Sequence, residues 1–372
     1  MTTVLVASGG GHLQQLFGLV PRLGLQDDVV WVTPHSGLSE GLLRNERHVE
    51  IPYAPPRDWK AALRLTGTAL HMLADLGATR VVSTGSSPAP PFFLAGARLG
   101  LELHYIESAT RSKGPSMSGK LVARLPSAEL YTQYPGWANE RWHYAGSIFD
   151  GYSVVDAGPA STPIRRVVVT LGTEAFDFRR AVERILQVLP SDAEVLWQTG
   201  YTDVGGLGIE AHASVPSNEL RAAIDSADLV ISHAGTGSAL TAFDLGKAPL
   251  LLPRSAKHGE HIDDHQSLTC EALTRRGLAV ATPVEELSAA HLENVRRIRV
   301  IQDPVVRPFH LTTAAHTAGI LSMGARRRSE KITVPAPRGP IVDLRDSAEI
   351  VIDLRTPSRR ESKSDVSTTI ES

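Results

Sequence analysis

The chain has 372 residues, 42% of them apolar and 21% charged, enough at roughly 100–200 residues per domain for about two domains with buried cores. Lys and Arg number 38 against 40 Asp and Glu; the net charge of −2 argues against a dedicated nucleic-acid binder, and 5% aromatic residues are too few for a base-stacking platform. The single cysteine, Cys270, excludes an intramolecular disulfide framework and a Cys-only zinc cage, and fits a reducing compartment.

The first eight residues lack a basic segment leading into an apolar stretch of signal-peptide length. No apolar run reaches the ~18–20 residues that cross a bilayer. The sequence therefore points to the cytoplasm and leaves peripheral attachment to a membrane surface open.

In chain order, residues 3–8 are expected as a buried strand, followed by glycines and a helical pattern over 12–23. Residues 29–33 read as the next strand and 58–76 as a long helix, with Asp58 its N-cap and Gly77 its stop. Strands at 80–83 and 103–107 flank a helix at 91–99. Between 153 and 163 the composition turns to Gly, Pro, Ser, Thr and Ala, which is linker chemistry. The alternation then restarts, with strands at 165–171, 194–198, 229–232 and 249–252 and helices at 177–189, 218–227 and 238–245. Such repetition predicts an α/β protein of two Rossmann-like parallel-sheet domains, residues 1–158 and 159–324, facing a cleft. Residues 325–372 are rich in charge, Pro, Ser and Thr and are expected to be a mostly disordered tail. Within it, IVDLR at 341–345 is echoed by VIDLR at 351–355.

Three stretches carry candidate chemistry. Ser8-Gly9-Gly10-Gly11-His12 joins the first strand to its helix, where glycines admit close backbone approach and a helix N-terminus offers N–H groups to an anion. The spacing is not GxGxxG and no acid ends the second strand, which weakens a dinucleotide reading. His12 at the mouth of the sheet is suited to take a proton from a hydroxyl; a solvated turn residue is the alternative.

The second stretch, residues 232–238, again runs from strand to helix, and His233, Gly235, Thr236, Gly237 and Ser238 form diphosphate-binding chemistry. Asp244, six residues on, suits the two hydroxyls of a ribose. The third stretch, residues 258–266, spaces His261 and His265 as a metal pair would be. It also reads as a helix cap, or as a loop whose Asp264 and Gln266 contact sugar hydroxyls.

Residues 165–266 resemble the catalytic, donor-binding subunit of the two-subunit, eukaryotic-type GlcNAc transferase that acts on dolichol-diphosphate GlcNAc. The matching stretches are VVVTLGTEAFD at 167–177, ISHAGTGSALTAFDLGKAPLLLPR at 231–254 and GEHIDDHQ at 259–266. Residues 4–135 resemble the partner, membrane-recruiting subunit through VLVASGGGHLQQL at 4–16, VSTGSSPAP at 82–90 and YIESATRSKGPSMSGKL at 105–121. The chain thus looks like a fusion of the two halves, as in bacterial exopolysaccharide transferases.

That resemblance implies a GT-B glycosyltransferase, related also to the GlcNAc transferase of peptidoglycan lipid intermediates, with no metal and no cofactor. It implies an inverting transfer from a UDP-sugar donor to a polyprenyl-diphosphate-linked acceptor by an enzyme peripheral to the inner face of the cytoplasmic membrane. Gly172 and Thr173 join the donor site by the same likeness, and Gly10, Gly11 and Arg111 the acceptor and phosphate side. In the peptidoglycan relative a Glu holds the ribose where Asp244 is matched here, and Thr241 stands where the eukaryotic-type subunits often carry Glu. The chemistry of the residues agrees: without an Asp-x-Asp pair, the amides of 235–238, the helix dipole and His233 supply positive potential for the leaving diphosphate. His12 and Glu107, both at carboxyl ends of strands, are the candidate bases; Glu107 is equally a structural partner for Arg111. Arg111, Lys113, Lys120 and Arg124 interleave with Met117, Leu121, Val122 and Leu125, and Trp59 sits beside Arg57 and Lys60, a mixture suited to an anionic interface. The alternatives are a sugar-nucleotide 2-epimerase of similar fold and a non-catalytic nucleotide-sugar-binding protein.

Overall fold

The computed structural model describes residues 1–26, 28–53, 59–173, 175–261, 265–303, 308–309, 311 and 352–353. The first half alternates β1 (Thr2–Val6), α1 (Gly11–Leu19), β2 (Asp28–Pro34), α2 (Gly37–Leu42), β3 (His48–Ile51) and α3 (Trp59–Asp75). It continues through β4 (Ala78–Ser83), α4 (Ala89–Leu99), β5 (Glu102–Ile106), α5 (Met117–Val122), β6 (Ala128–Thr132) and β7 (Trp142–Tyr144). These strands are short Val- and Ile-rich runs, buried almost throughout because helices cover the sheet. α3 is followed by Gly77 at φ +57, as expected of a stop; the expected cap, Asp58, lies outside the described residues. α4 begins two residues before the expected start, because prolines are tolerated in a first turn.

The second half begins with β8 (Tyr152–Asp156) and β9 (Arg166–Thr170), then α6 (Arg179–Val188), β10 (Glu194–Gln198), β11 (Ala211–His212) and α7 (Ser217–Ser226). It proceeds through β12 (Leu229–His233), α8 (Thr236–Asp244), β13 (Leu250–Leu252), α9 (His265–Arg275), β14 (Val280–Ala281), α10 (Ala289–Arg296) and β15 (Ile298–Gln302). A further short strand, β16 (Ile352–Asp353), pairs antiparallel with β3 inside the second copy of the tail repeat. The rest of the tail expected to be disordered lies outside the described residues.

The first sheet runs β16-β3-β2-β1-β4-β5-β6-β7, parallel apart from β16; the second runs β11-β10-β9-β12-β13-β14 and is parallel throughout. Strand order therefore reverses between β1 and β4 in one sheet and between β9 and β12 in the other. Open parallel sheets bind ligands at such reversals, beyond the carboxyl ends of the strands. The glycine-rich stretches of both halves fall there.

One departure from expectation lies at the centre of the chain. The first residues of the expected linker form β8, which pairs antiparallel with β15 from Ile298↔Asp156 to Gln302↔Tyr152. Its partner is more than a hundred residues away, so local composition gives no sign of the pairing. Beyond β15, Phe309 returns to the first half: it is 1% exposed, its N–H donates to Arg22 O (2.9 Å), and its ring meets Tyr131. One apolar cluster joins Leu5, Leu13 and Phe149 to Val167, Ile231 and Phe243, so the halves pack directly on one another.

Candidate functional site: a cleft between two helix N-termini

α1 and α8 begin at the two sheet reversals and meet at their first turns. A Cβ on Gly237 would lie 3.3 Å from Gly11 Cα, and one on Gly11 would lie 3.6 Å from Gly237 N. Neither helix has a side-chain cap or an acidic residue in its first turn. Two uncompensated helix N-termini thus face each other, each with N–H groups that have no partner within the helix. An anion between them would relieve their mutual repulsion.

On the first-half side, His12 Nδ1 lies 2.8 Å from Thr84 O, and Thr84 Oγ1 donates to His12 O (2.7 Å). A carbonyl accepts only from a protonated nitrogen, so this bond selects the tautomer with the lone pair on Nε2. In the loop after β4, Gly85 adopts φ +105; a Cβ there would come 2.7 Å from Tyr105 Oη and 3.5 Å from His12 Cε1. Ser86 follows at φ +73, a left-handed conformation costly for a residue with a Cβ, and the sequence gives no warning of it.

Glu107 is in a different situation. It is fully buried and accepts from Ser108 N (3.0 Å), Ser116 N (2.9 Å) and Ser116 Oγ (3.0 Å). Burial raises its pKa, although these hydrogen bonds and the charge of Arg111 pull the other way. A Cβ on Gly119 would come 2.2 Å from its carboxylate, so the first turn of α5 is packed tightly over it. Gln15 on α1 holds the same loop by accepting from Ala109 N (2.8 Å). Of the two candidate bases, His12 lies at the α1 turn beside the cleft and Glu107 lies inside the loop it organises.

On the second-half side, His233 Nδ1 is 3.3 Å from Thr170 O, and the ring sits where two glycines make room. A Cβ on Gly235 would be 2.2 Å from its Nε2, and one on Gly172, at φ +81, would be 2.8 Å from the ring. His233, Gly235 and Gly172 are thus a packed unit, with Thr173 exposed beside it. Thr236 is 3% exposed, and its buried hydroxyl makes no hydrogen bond. A buried hydroxyl without a partner at a helix N-terminus is suited to a ligand oxygen.

The remaining expected donor residues are placed differently. Asp244 ends α8, about 12 Å along the axis from Thr236 at ~1.5 Å per residue. Its carboxylate accepts from Tyr152 Oη (2.6 Å) and lies 3.6 Å from Arg221. Thr241, one turn nearer the helix start, donates to Gly237 O (3.0 Å). The buried Gln266 accepts from Arg254 N (3.0 Å), His261 packs on Phe176, His258 stands 4.0 Å from Glu285, and Asp264 lies outside the described residues.

Arg254 was not singled out by the sequence reading, yet it ties both donor-side loops together. The side chain is 1% exposed and donates to Leu171 O, Phe176 O, Asp177 O and Glu260 O, with the guanidinium over the Phe178 ring. Its signal in the sequence is an arginine one proline beyond an apolar strand, which reads equally well as a surface residue.

Of the proposed interface residues, Met117 (68%) and Leu121 (43%) on α5 are exposed with Lys113, Lys120 and Arg124, and Leu94 (51%) is exposed on α4, which packs against α5. Val122 faces the core instead, and the side chains of Arg57, Trp59 and Lys60 lie outside the described residues. Among the described residues no helix is long and apolar enough to cross a membrane.

Residues 166–300 match the model of the glycosyltransferase family 28 C-terminal domain. The chain is 27% identical over 296 residues to the UDP-N-acetylglucosamine--N-acetylmuramyl-(pentapeptide) pyrophosphoryl-undecaprenol N-acetylglucosamine transferase of Clavibacter sepedonicus, covering 70% of this chain and 78% of that one. The enzyme of the same name from Ralstonia nicotianae is 33% identical over 144 residues, 36% of this chain and 38% of its own. Among solved structures, the UDP-GlcNAc 2-epimerase of Methanocaldococcus jannaschii aligns with a TM-score of 0.50 at 11% identity, over 84% of this chain and 96% of that one, which is a likeness of fold.

Proposed function

We propose that this glycosyltransferase moves a sugar, N-acetylglucosamine foremost, from a UDP-sugar to a saccharide linked to a polyprenyl diphosphate at a membrane surface. The observation that carries the reading is the meeting of two uncapped helix N-termini at Gly11 and Gly237, with the unpartnered Thr236 hydroxyl beside them. The donor diphosphate lies on the first turn of α8, Thr236 to Ser238, where N–H groups and the Thr236 hydroxyl stabilise the charge that develops as the sugar leaves. Thr241 and the loops tied by Arg254 lie along the nucleotide. His12, through Nε2, takes the proton of the acceptor hydroxyl as it attacks the anomeric carbon from the opposite face, inverting its configuration. Glu107 holds the loop ahead of α5, and the exposed Leu94, Met117 and Leu121 with Lys120 and Arg124 rest on an anionic lipid surface.

The two halves then divide the work as the fusion resemblance implies: residues 1–158 meet acceptor and membrane, and 159–324 hold the donor. The relatives named above support both the nucleotide-sugar and the lipid-linked acceptor. Incubating the protein with UDP-N-acetylglucosamine and a polyprenyl-diphosphate-linked saccharide, then weighing the lipid products by mass spectrometry, tests the reading. A product one N-acetylhexosamine heavier is expected. Consumption of the donor without acceptor, giving an isomerised or hydrolysed sugar, would favour the 2-epimerase alternative instead.

A further inference from the structure

Asp244 lies at the far end of the helix whose first turn carries the donor site. Its carboxylate is held across the middle of the chain, by a tyrosine 92 positions earlier. Tyr152 opens β8, the strand that follows directly on the first half. Its hydroxyl donates to Asp244 Oδ1 (2.6 Å) while Arg221 of α7 stands 3.6 Å from Oδ2. The Tyr152 ring packs on Phe243 at 5.3 Å, and Phe243 meets Phe149 at 6.5 Å. Burial raises the Tyr152 pKa and the Asp244 charge raises it further, so the phenol remains a donor.

α8 therefore touches first-half or mid-chain elements at both ends: Gly237 against Gly11 at its start, and Asp244 against Tyr152 at its finish. Between these ends α8 packs on β12, β15 and α7, and the Tyr152 bond adds a tie about 12 Å along the helix from the Gly11 contact. We infer that Asp244 is a positioning residue, which through Tyr152 holds α8 at the orientation that presents Thr236–Ser238 to the His12 side of the cleft. In this role Asp244 is not the ribose ligand expected from the sequence. The catalytic consequence rests on the proposed donor site; the orientation of α8 does not.

The test compares wild type, Tyr152→Phe, Asp244→Ala and the double variant as full-length protein. UDP affinity is measured by calorimetry, and turnover with UDP-N-acetylglucosamine and a lipid-linked acceptor. The distance across the cleft is read between spin labels placed at the exposed Arg98 and Glu293. Each single variant is expected to lower kcat by roughly ten- to a hundredfold, the cost of misplaced reacting groups, with UDP affinity kept within about twofold. The double variant should be no worse than either single one, because both remove the same bond. The label distances should broaden in all three. UDP affinity lost in Asp244→Ala but kept in Tyr152→Phe would overturn the inference and make Asp244 a nucleotide ligand. Two silent variants with unchanged distances would overturn it as well. Wild type that binds no UDP, with distances that still broaden in the variants, would remove the donor-site reading and leave the positioning role standing.

Discussion

Gly11 and Gly237 belong to opposite halves of the chain and stand in backbone contact, 3.3 Å separating Gly11 Cα from where a Cβ on Gly237 would be. A side chain at Gly237 would push Gly11 back by a few tenths of an ångström, whereas a Cβ on Gly11 would meet Gly237 N at an ordinary 3.6 Å. The cleft they bound receives the first turn of α1, carrying His12, from one side and the first turn of α8, carrying Thr236, from the other.

His12→Ala is expected to lower turnover by roughly 10²–10⁴ while UDP binding stays almost unchanged, because the imidazole acts on the acceptor. Steady-state kinetics beside calorimetry checks this. An equal loss of nucleotide affinity would mean that His12 contacts the phosphates.

Glu107→Ala should behave otherwise. The substitution removes the acceptor of the buried Ser108 N and of the partly buried Ser116 N and Ser116 Oγ, at about 1–3 kcal/mol for each buried donor left without a partner. A fall of several degrees in Tm is expected. A variant of normal Tm with the turnover defect assigned above to His12 would make Glu107 the base.

The alternation of strand and helix was legible because it is local: buried runs of Val, Leu and Ile between glycines have few other readings. The two glycine turns were legible for the same reason, and the structure places both at sheet reversals. What escaped the sequence depends on distant partners. The strand Tyr152–Asp156 needs Ile298–Gln302 to be one, Phe309 needs its place beside Arg22 and Tyr131, and Arg254 becomes structural chiefly through carbonyls 77 to 83 residues upstream. Asp244 illustrates the limit well, since its residue type suits a ribose and its position supplies a tyrosine.

Lys120→Gln with Arg124→Gln should weaken sedimentation with anionic vesicles by about 2 kcal/mol, roughly thirtyfold, at ~1 kcal/mol per basic residue near the surface. The effect should shrink as salt is raised, and UDP affinity should be untouched. Equal binding by the doubly substituted protein would place the membrane face elsewhere.

His104 gives the fold a predictable response to acid. It is 2% exposed, with Nδ1 3.0 Å from Tyr131 Oη, and Nε2 3.8 Å from Glu102, too long for a hydrogen bond. Burial, aided by the charge of Arg80, lowers its pKa from 6.5 to about 4. Because the folded state binds this proton less readily than the unfolded state, the contribution is complete above pH 6.5 and is lost as pH falls toward 4. Its size is on the order of 3 kcal/mol. Urea unfolding at several pH values should show a shallower decline over that window in His104→Leu; identical slopes would contradict the assignment.

The central claim is that the first turn of α8 binds the donor diphosphate, and Thr236→Val tests it most directly because the two readouts should move in opposite directions. The valine keeps the shape and removes a buried hydroxyl that has no protein partner, so the Tm without ligand should rise or hold. UDP affinity should fall by about 1 kcal/mol or more, roughly fivefold upwards, as the hydrogen bond to the diphosphate is lost. A lower Tm with UDP affinity unchanged would mean that the hydroxyl serves the fold alone, and would contradict a donor site at this helix.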